Sequence, residues 1–359
     1  MSDLCKLCEK NVLENVGSHI FTESIIRTAL NQDGYTKRED KELIYEISID
    51  KIGLDFFGRG VLPEKIEAIT GKELSDEEIE QNKNPLINRN LVCRKCEKKF
   101  GPIEAEFTST IYSNIVRKNR YELQKDECNY ISFENQKWLA LQFVIINVWR
   151  ASSSNYNDWK LNPDQEEYLR SFILLTADDN IESIIKKTVE NREKIKQFNF
   201  VLNYFIQKSE NLSENGVLID TWENPYFILL NRLSLIFDFT SLNVAKLPLL
   251  VNEIIDKNFN CIIPNIESDE LRIGLNSDEQ RTELYYRVSL KAAKDILRNI
   301  EDVFINTHKF TFGFPPPFNS MVYFKKSVGN YTKEEGKITI PGLLEVVIKV
   351  IEDCAKSYS

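Results

Sequence analysis

The sequence predicts an α+β protein in three parts: a cysteine-bearing N-terminal module, a mostly helical middle and a mixed α/β C-terminal region. Three observations predict it. Two C-x-x-C pairs, Cys5/Cys8 and Cys93/Cys96, both fall within residues 1–108. The stretch NQKWLALQFVIINVWR (135–150) is apolar on nearly every side, as a central buried helix is. Short β-type runs bounded by turn residues then recur as GVLID, YFILL, NCIIP and LRIGL.

The chain of 359 residues exceeds one small domain. Hydrophobic residues at 42% and charged residues at 28% are enough for sizeable cores in a globular protein. A formal net charge of −9 argues against a general coat for nucleic acid, so such binding requires a local basic patch. The start MSDLCKLCEKN has no basic segment leading into an apolar one, and the greasiest stretches (138–149 and 226–239) are too short or too broken to span a bilayer. No membrane partner and a cytoplasmic location are therefore expected. There, seven cysteines are expected as thiols or metal ligands.

Within 1–108, residues 31–88 read as a long polar insertion. It carries a strand-like alternation around Ile44–Ile49 and a short acidic helix opened by Ser75, with Glu78 in capping-box position. Residues 109–210 read as mainly helical, with an amphipathic helix over 176–198 and a strand over 198–205. Residues 211–359 read as mixed α/β: a long helix over 277–307 from Ser277, strand candidates KFTFG, MVYFKK and KITIP, and a closing helix GLLEVVIKVIEDCAKSY. The loop GFPPPFN (313–319) is irregular, whether as a rigid surface loop or a partner contact.

Two C-x-x-C knuckles complete a tetrahedral four-thiolate shell, which suits zinc. The 84 residues between the pairs require the insertion. No thioredoxin-like βαβ unit adjoins either pair, which argues against redox use. Cys128, Cys261 and Cys354 are isolated and read as core thiols. A four-thiolate zinc has no open position, so chemistry must come from neighbours. His19 has the residue type for a base near neutral pH, or else is a hydrogen-bonded structural residue. Asn90, just before the second knuckle, either orients a base or opens the turn. Glu97 and Glu104 are carboxylates of the kind that hold Mg²⁺ or Mn²⁺, or else lie on a solvated face. Between Lys83 and Lys125 ten basic residues oppose four acids, a local excess that suits a phosphate-facing surface. His308, the other histidine, reads as structural.

The order Cys-x-x-Cys, Ser18-His19-Ile20, then Asn90-Leu91-Val92-Cys93-Arg94-Lys95-Cys96 resembles the zinc-containing HNH endonucleases, also called ββα-metal or His-Me finger nucleases. The resemblance covers about residues 1–108. It implies a ββα module with structural zinc on Cys5, Cys8, Cys93 and Cys96. It also implies His19 as the base, Asn90 in support, and a catalytic Mg²⁺ or Mn²⁺ near Glu97 and Glu104. Ser18 stands where that family usually has Asp, and Glu97 where it has Asn or His. The implied activity is hydrolysis of phosphodiester bonds in nucleic acid, DNA before RNA, in a setting such as bacterial anti-phage defence. The C-terminal region would bind a target, protein partner or activating ligand. The alternative is a zinc-stapled nucleic-acid- or protein-binding module without catalysis, which the Ser18 departure favours.

Overall fold

The computed structural model describes residues 4–30, 43–47, 52–58, 60–70, 73–121, 130–156, 159–206, 217–219, 225–239, 268–335 and 340–358. In chain order, β1 (Ser18–His19) and α1 (Glu23–Leu30) precede β2 (Leu43–Ile47), β3 (Ile52–Phe57), α2 (Pro63–Thr70) and α3 (Asp76–Gln81). Then come β4 (Ile87–Asn88), α4 (Arg94–Glu97), α5 (Gly101–Glu106), a π-helix (Phe107–Tyr112) and α6 (Ser113–Tyr121). β5 (Tyr130–Phe133) leads into α7 (Lys137–Ser154), α8 (Pro163–Thr176) and α9 (Ile181–Glu190). β6 (Asn199–Phe205), β7 (Val217–Ile219), β8 (Tyr226–Leu230), β9 (Leu233–Asp238) and β10 (Leu271–Asn276) follow, and α10 (Asp278–Phe312), α11 (Phe318–Glu335) and α12 (Ile340–Tyr358) close the chain.

Two compact units emerge: Met1–Glu42 with Gly58–Gly60 and Lys83–Tyr285, and Leu43–Phe57 with Val61–Asn82 and Tyr286–Ser359. In the first, α7 is the hub. Every residue from Leu139 to Ser153 is buried, as an all-round apolar helix requires. Asn155 in the left-handed conformation (φ 56°) ends it. Asn162 caps α8 by accepting from the Gln165 N–H, with Pro163 at the first helical position. Phe143 stacks on Phe107 with ring centroids 3.7 Å apart, joining α7 to the π-helix.

The sheet of this unit has six strands in the order β5-β10-β6-β9-β8-β7. Only the β10–β6 pairing is parallel. β8 and β9 are buried at every position, so YFILL is a continuous apolar run rather than an alternation, and LSLIFD also buries the polar Ser234 and Asp238. The sheet draws strands from both sides of residue 210. Likewise, the helical run Gly101–Tyr121 passes through the boundary expected near 109.

In the second unit β2 pairs with β3 antiparallel, and α3 carries the expected capping box between Ser75 and Glu78. Its core joins Ile296, Ile300 and Phe304 of α10 to Phe324 and Val328 of α11 and Leu343, Val347, Val350 and Cys354 of α12. His308 is fully buried there, bonded to the Phe314 carbonyl (3.0 Å) and the Tyr358 hydroxyl (3.2 Å).

Two strand expectations fail. KFTF ends α10 and MVYFKK lies inside α11. The reason is spacing: Met321, Phe324, Val328 and Tyr331 recur at three- and four-residue steps and all pack on the core, a helical stripe that overrides local β-propensity. The tail of KITIP, Ile340–Pro341, opens α12, and residues 337–339 lie outside the described residues, as do NCIIP, Cys128, Cys261 and residues 48–49 of the expected first strand. Among the described residues no helix is long and apolar enough to cross a membrane.

Candidate functional site

The first knuckle closes on itself. The Cys5 N–H donates to the Asn11 carbonyl (2.9 Å) and the Glu9 N–H to the Cys5 carbonyl (2.8 Å), with Glu9 in the left-handed region (φ 53°). The Lys6 N–H donates to the Leu91 carbonyl (3.0 Å), which docks this knuckle on the second. There Cys93 precedes α4, and its carbonyl accepts from the Cys96 and Glu97 N–H groups (2.9 and 3.0 Å). The sulfurs of Cys5, Cys8, Cys93 and Cys96 all lie within 4.8 Å of one another. A tetrahedral zinc–thiolate site needs sulfurs about 3.8 Å apart, given bonds of about 2.3 Å. The cluster therefore fits a structural metal. The Cys8 N–H approaches the Cys5 sulfur (3.5 Å), and the Asn11 amide donates to the Cys93 sulfur (3.3 Å), as donors around thiolate ligands do. Its neighbour Cys96 holds the Cys5 thiol below its ordinary value against the opposing effect of burial, and Cys96 is raised in turn by Cys5 and by burial. Lys6 Nζ reaches out of the knuckle to the Ser153 carbonyl, and Arg170 Nη1 donates to the Leu7 carbonyl (2.8 Å), fastening the knuckle to α7 and α8.

The second knuckle is preceded by β4, which pairs antiparallel with β1 so that Ser18 faces Asn88 and His19 faces Ile87. Side chains alternate across a strand. Ser18 is accordingly fully buried, while the His19 side chain keeps 25% exposure. His19 Nε2 lies 3.6 Å from Glu23 Oε2 on the first turn of α1, and Glu23 Oε1 lies 3.4 Å from Arg27 Nη2. Ser18 Oγ donates to Glu97 Oε2 at 2.6 Å. Burial pushes the Glu97 carboxyl above its ordinary value, while the Ser18 bond and the Arg150 charge oppose the rise.

Glu104 is committed elsewhere. Its Oε1 accepts from Thr22 Oγ1 (2.9 Å) and forms an ion pair with Arg150 Nη2. Asn147 extends this network, accepting from the Thr22 N–H (3.0 Å) and donating to the Phe143 carbonyl (2.8 Å). Arg150 is fully buried, with its guanidinium carbon 5.1 Å from the Phe100 ring centre and its Nε and Nη1 without hydrogen-bond partners. Asn90 is exposed, and its backbone N–H donates to the Asn88 side chain (2.8 Å), so its position is that of a turn residue opening the knuckle.

Among the described residues the four cysteines are the one group of at least three ligand-type side chains close enough for a single ion. Glu97 is bonded to Ser18, beside His19, and Glu104 to Thr22, and the three do not form one ligand group. Of the basic run, Lys83, Arg89, Arg94, Lys95, Lys98 and Arg117 are exposed, while Lys125 and the side chains of Lys118 and Arg120 lie outside the described residues. Sequence reading gave no role to Arg150 or Asn147 and none to Glu23 as a partner of His19. The ladder His19, Glu23, Arg27 at four-residue steps carried a signal for Glu23. Nothing local marks Arg150, because its partner Glu104 is 46 residues away.

Comparison with protein-family models, with curated proteins and with solved structures finds no match to this chain.

Proposed function

We propose that this chain is a zinc-stapled hydrolase of the HNH type that cleaves phosphodiester bonds in nucleic acid. The observation that carries the reading is the setting of His19: a partly exposed imidazole on a short strand pair, with a carboxylate 3.6 Å from Nε2, beside a four-cysteine cluster. The cysteines would hold zinc, which supplies fixed geometry and takes no part in turnover. His19 takes the proton of a water as its oxygen attacks phosphorus, the bond from phosphorus to the leaving oxygen breaks, and the imidazolium returns a proton to that oxygen. Glu23 orients the imidazole and stabilises its charged form. Exposed Arg89, Arg94, Lys95 and Lys98 face the phosphate backbone. Ser18, in the position of an aspartate in the resembling family, is hydrogen-bonded to Glu97, so a carboxylate still adjoins the strand of the base. Glu97 and Glu104 as they stand, bound to Ser18 and Arg150, do not fit a shared catalytic Mg²⁺ or Mn²⁺.

That commitment of Glu104 favours a second reading, a zinc-stapled binding module without catalysis. Plasmid DNA and structured RNA incubated with the full chain in Mg²⁺, Mn²⁺ or EDTA, beside His19→Ala, separate the two. The first reading requires cleavage that falls by about 10²–10⁴ in the variant. Salt-sensitive binding with no cleavage under any condition selects the second.

A further inference from the structure

His19 and Glu23 are joined by Ile20, Phe21 and Thr22, and each of these three is buried and held by a different neighbour. The Ile20 N–H donates to the Leu86 carbonyl (2.9 Å). Phe21 meets Tyr156 edge to face, with ring centroids 5.3 Å apart. Thr22, directly before α1, uses all of its polar groups. Its N–H donates to Asn147 Oδ1 (3.0 Å), and its carbonyl accepts from the Ile25 N–H in the first turn of α1 (3.1 Å). Its hydroxyl donates to Glu104 Oε1 (2.9 Å) and accepts from Asn147 Nδ2 (3.2 Å).

Asn147 is the unexpected member of this set. It lies within α7 between Ile146 and Val148, and all three are fully buried. A buried amide is tolerated only where its donors and acceptor are used. Asn147 spends its oxygen and one N–H on Thr22, and its other N–H on the Phe143 carbonyl (2.8 Å). An apolar side chain would fill the same place in α7 with no such need. What a fully satisfied buried network adds is a single fixed arrangement of the chain. Here it fixes the start of α1, whose first residue, Glu23, stands 3.6 Å from His19 Nε2. A misplacement of about 1 Å at such a point costs rate heavily. We infer that Asn147 and Thr22 are positioning residues that act through Glu23 to hold the His19 imidazole in its working orientation, an assignment that rests on His19 being the base of a hydrolase.

The test uses the full chain and two substitutions at one position. Thr22→Val keeps the shape and the backbone donor but removes the hydroxyl, whereas Thr22→Ser keeps the hydroxyl. On whichever of plasmid DNA or structured RNA the wild type cleaves, Thr22→Val should lower kcat about tenfold or more with KM unchanged, and Thr22→Ser should stay within about threefold of wild type. Nuclear magnetic resonance of the imidazole nitrogens supplies a readout apart from activity. The chain has two histidines, so the buried His308 serves as an internal control. The His19 signals should move in Thr22→Val and return in Thr22→Ser, with those of His308 unmoved in both. His19 signals unchanged in Thr22→Val overturn the inference, as does an equal loss of kcat in the two variants. A wild type that cleaves neither substrate removes the hydrolase reading, and the imidazole signals alone then decide whether Thr22 positions His19. Should Thr22→Val not fold, Thr22→Ala takes its place in both measurements.

Discussion

Arg150 is the residue on which the first unit depends most narrowly. It is fully buried, and Glu104 is the carboxylate that neutralises it. Breaking a buried pair from one side leaves an uncompensated charge, whereas replacing both partners by apolar groups does not. Glu104→Ala is therefore expected to destabilise the protein by about 3 kcal/mol. Adding Arg150→Met should recover most of that loss, as read by urea denaturation of the single and double variants. Both variants losing the same amount would mean that the pair contributes little. Glu23 makes a different prediction. It touches His19 from the first turn of α1, so Glu23→Gln should lower cleavage about tenfold or more, as loss of an orienting partner does, with the unfolding midpoint unchanged. At this scale the sequence was only partly legible. Spacing announced the cysteines because ligand geometry is local. It could not announce that Glu104 faces Arg150, a fact of chain packing, and for Asn90 it left the choice between orienting a base and opening the turn undecided.

The knuckles are elements without regular structure, held by one another, by Lys6 reaching out of the first knuckle to α7 and by Arg170 reaching in from α8. Their stability should therefore follow the metal, since binding free energy at such a site is folding free energy. Protein purified without chelator is expected to carry one zinc per chain by elemental analysis. Cys96→Ser should lose it and gain protease cleavage sites within residues 5–12 and 89–100. A metal-free wild type with equally resistant knuckles would sink the zinc assignment. Secondary structure was legible where one signal dominated, as in the all-apolar α7 and the Ser75–Glu78 capping box. It failed in α11, where Val322, Tyr323 and Phe324 carry β-propensity and only the longer stripe from Met321 to Tyr331 reveals the helix.

For the whole molecule, the two units draw on interleaved stretches of chain, which no composition shift marks. The six-stranded sheet takes strands from Tyr130 to Asn276, so cutting the chain near 210 would separate β6 from its partners β9 and β10. The second unit has its own core, in which the fully buried Phe304 stacks on Phe324 with centroids 4.4 Å apart. Phe304→Ala should cost about 3–4 kcal/mol of that core's stability through cavity formation. Hydrogen exchange should accelerate in α11 and α12, while bound zinc stays at its wild-type level. Loss of zinc in this variant would show that the second core supports the first unit.

The π-helix between α5 and α6 has a consequence for chain length. Ile103, Phe107, Ile111 and Ile115 are all buried at four-residue steps, a spacing that drifts round an α-helix of 3.6 residues per turn unless a wider turn absorbs it. The Ser113 N–H reaches back five residues to the Thr108 carbonyl, and Ser109 and Thr110 hydroxyls donate to the Glu106 carbonyl. The chain thus carries one residue more than the buried stripe requires. That surplus sets Thr108 against Ser24 (2.7 Å) and the Tyr112 hydroxyl against the Ile25 carbonyl (3.5 Å), both on α1 beside Glu23. Deleting Ser109 would restore ordinary helical phase and keep the stripe, so the fold should survive. The grip on α1 would slip by one register, and His19 would lose the alignment of its carboxylate.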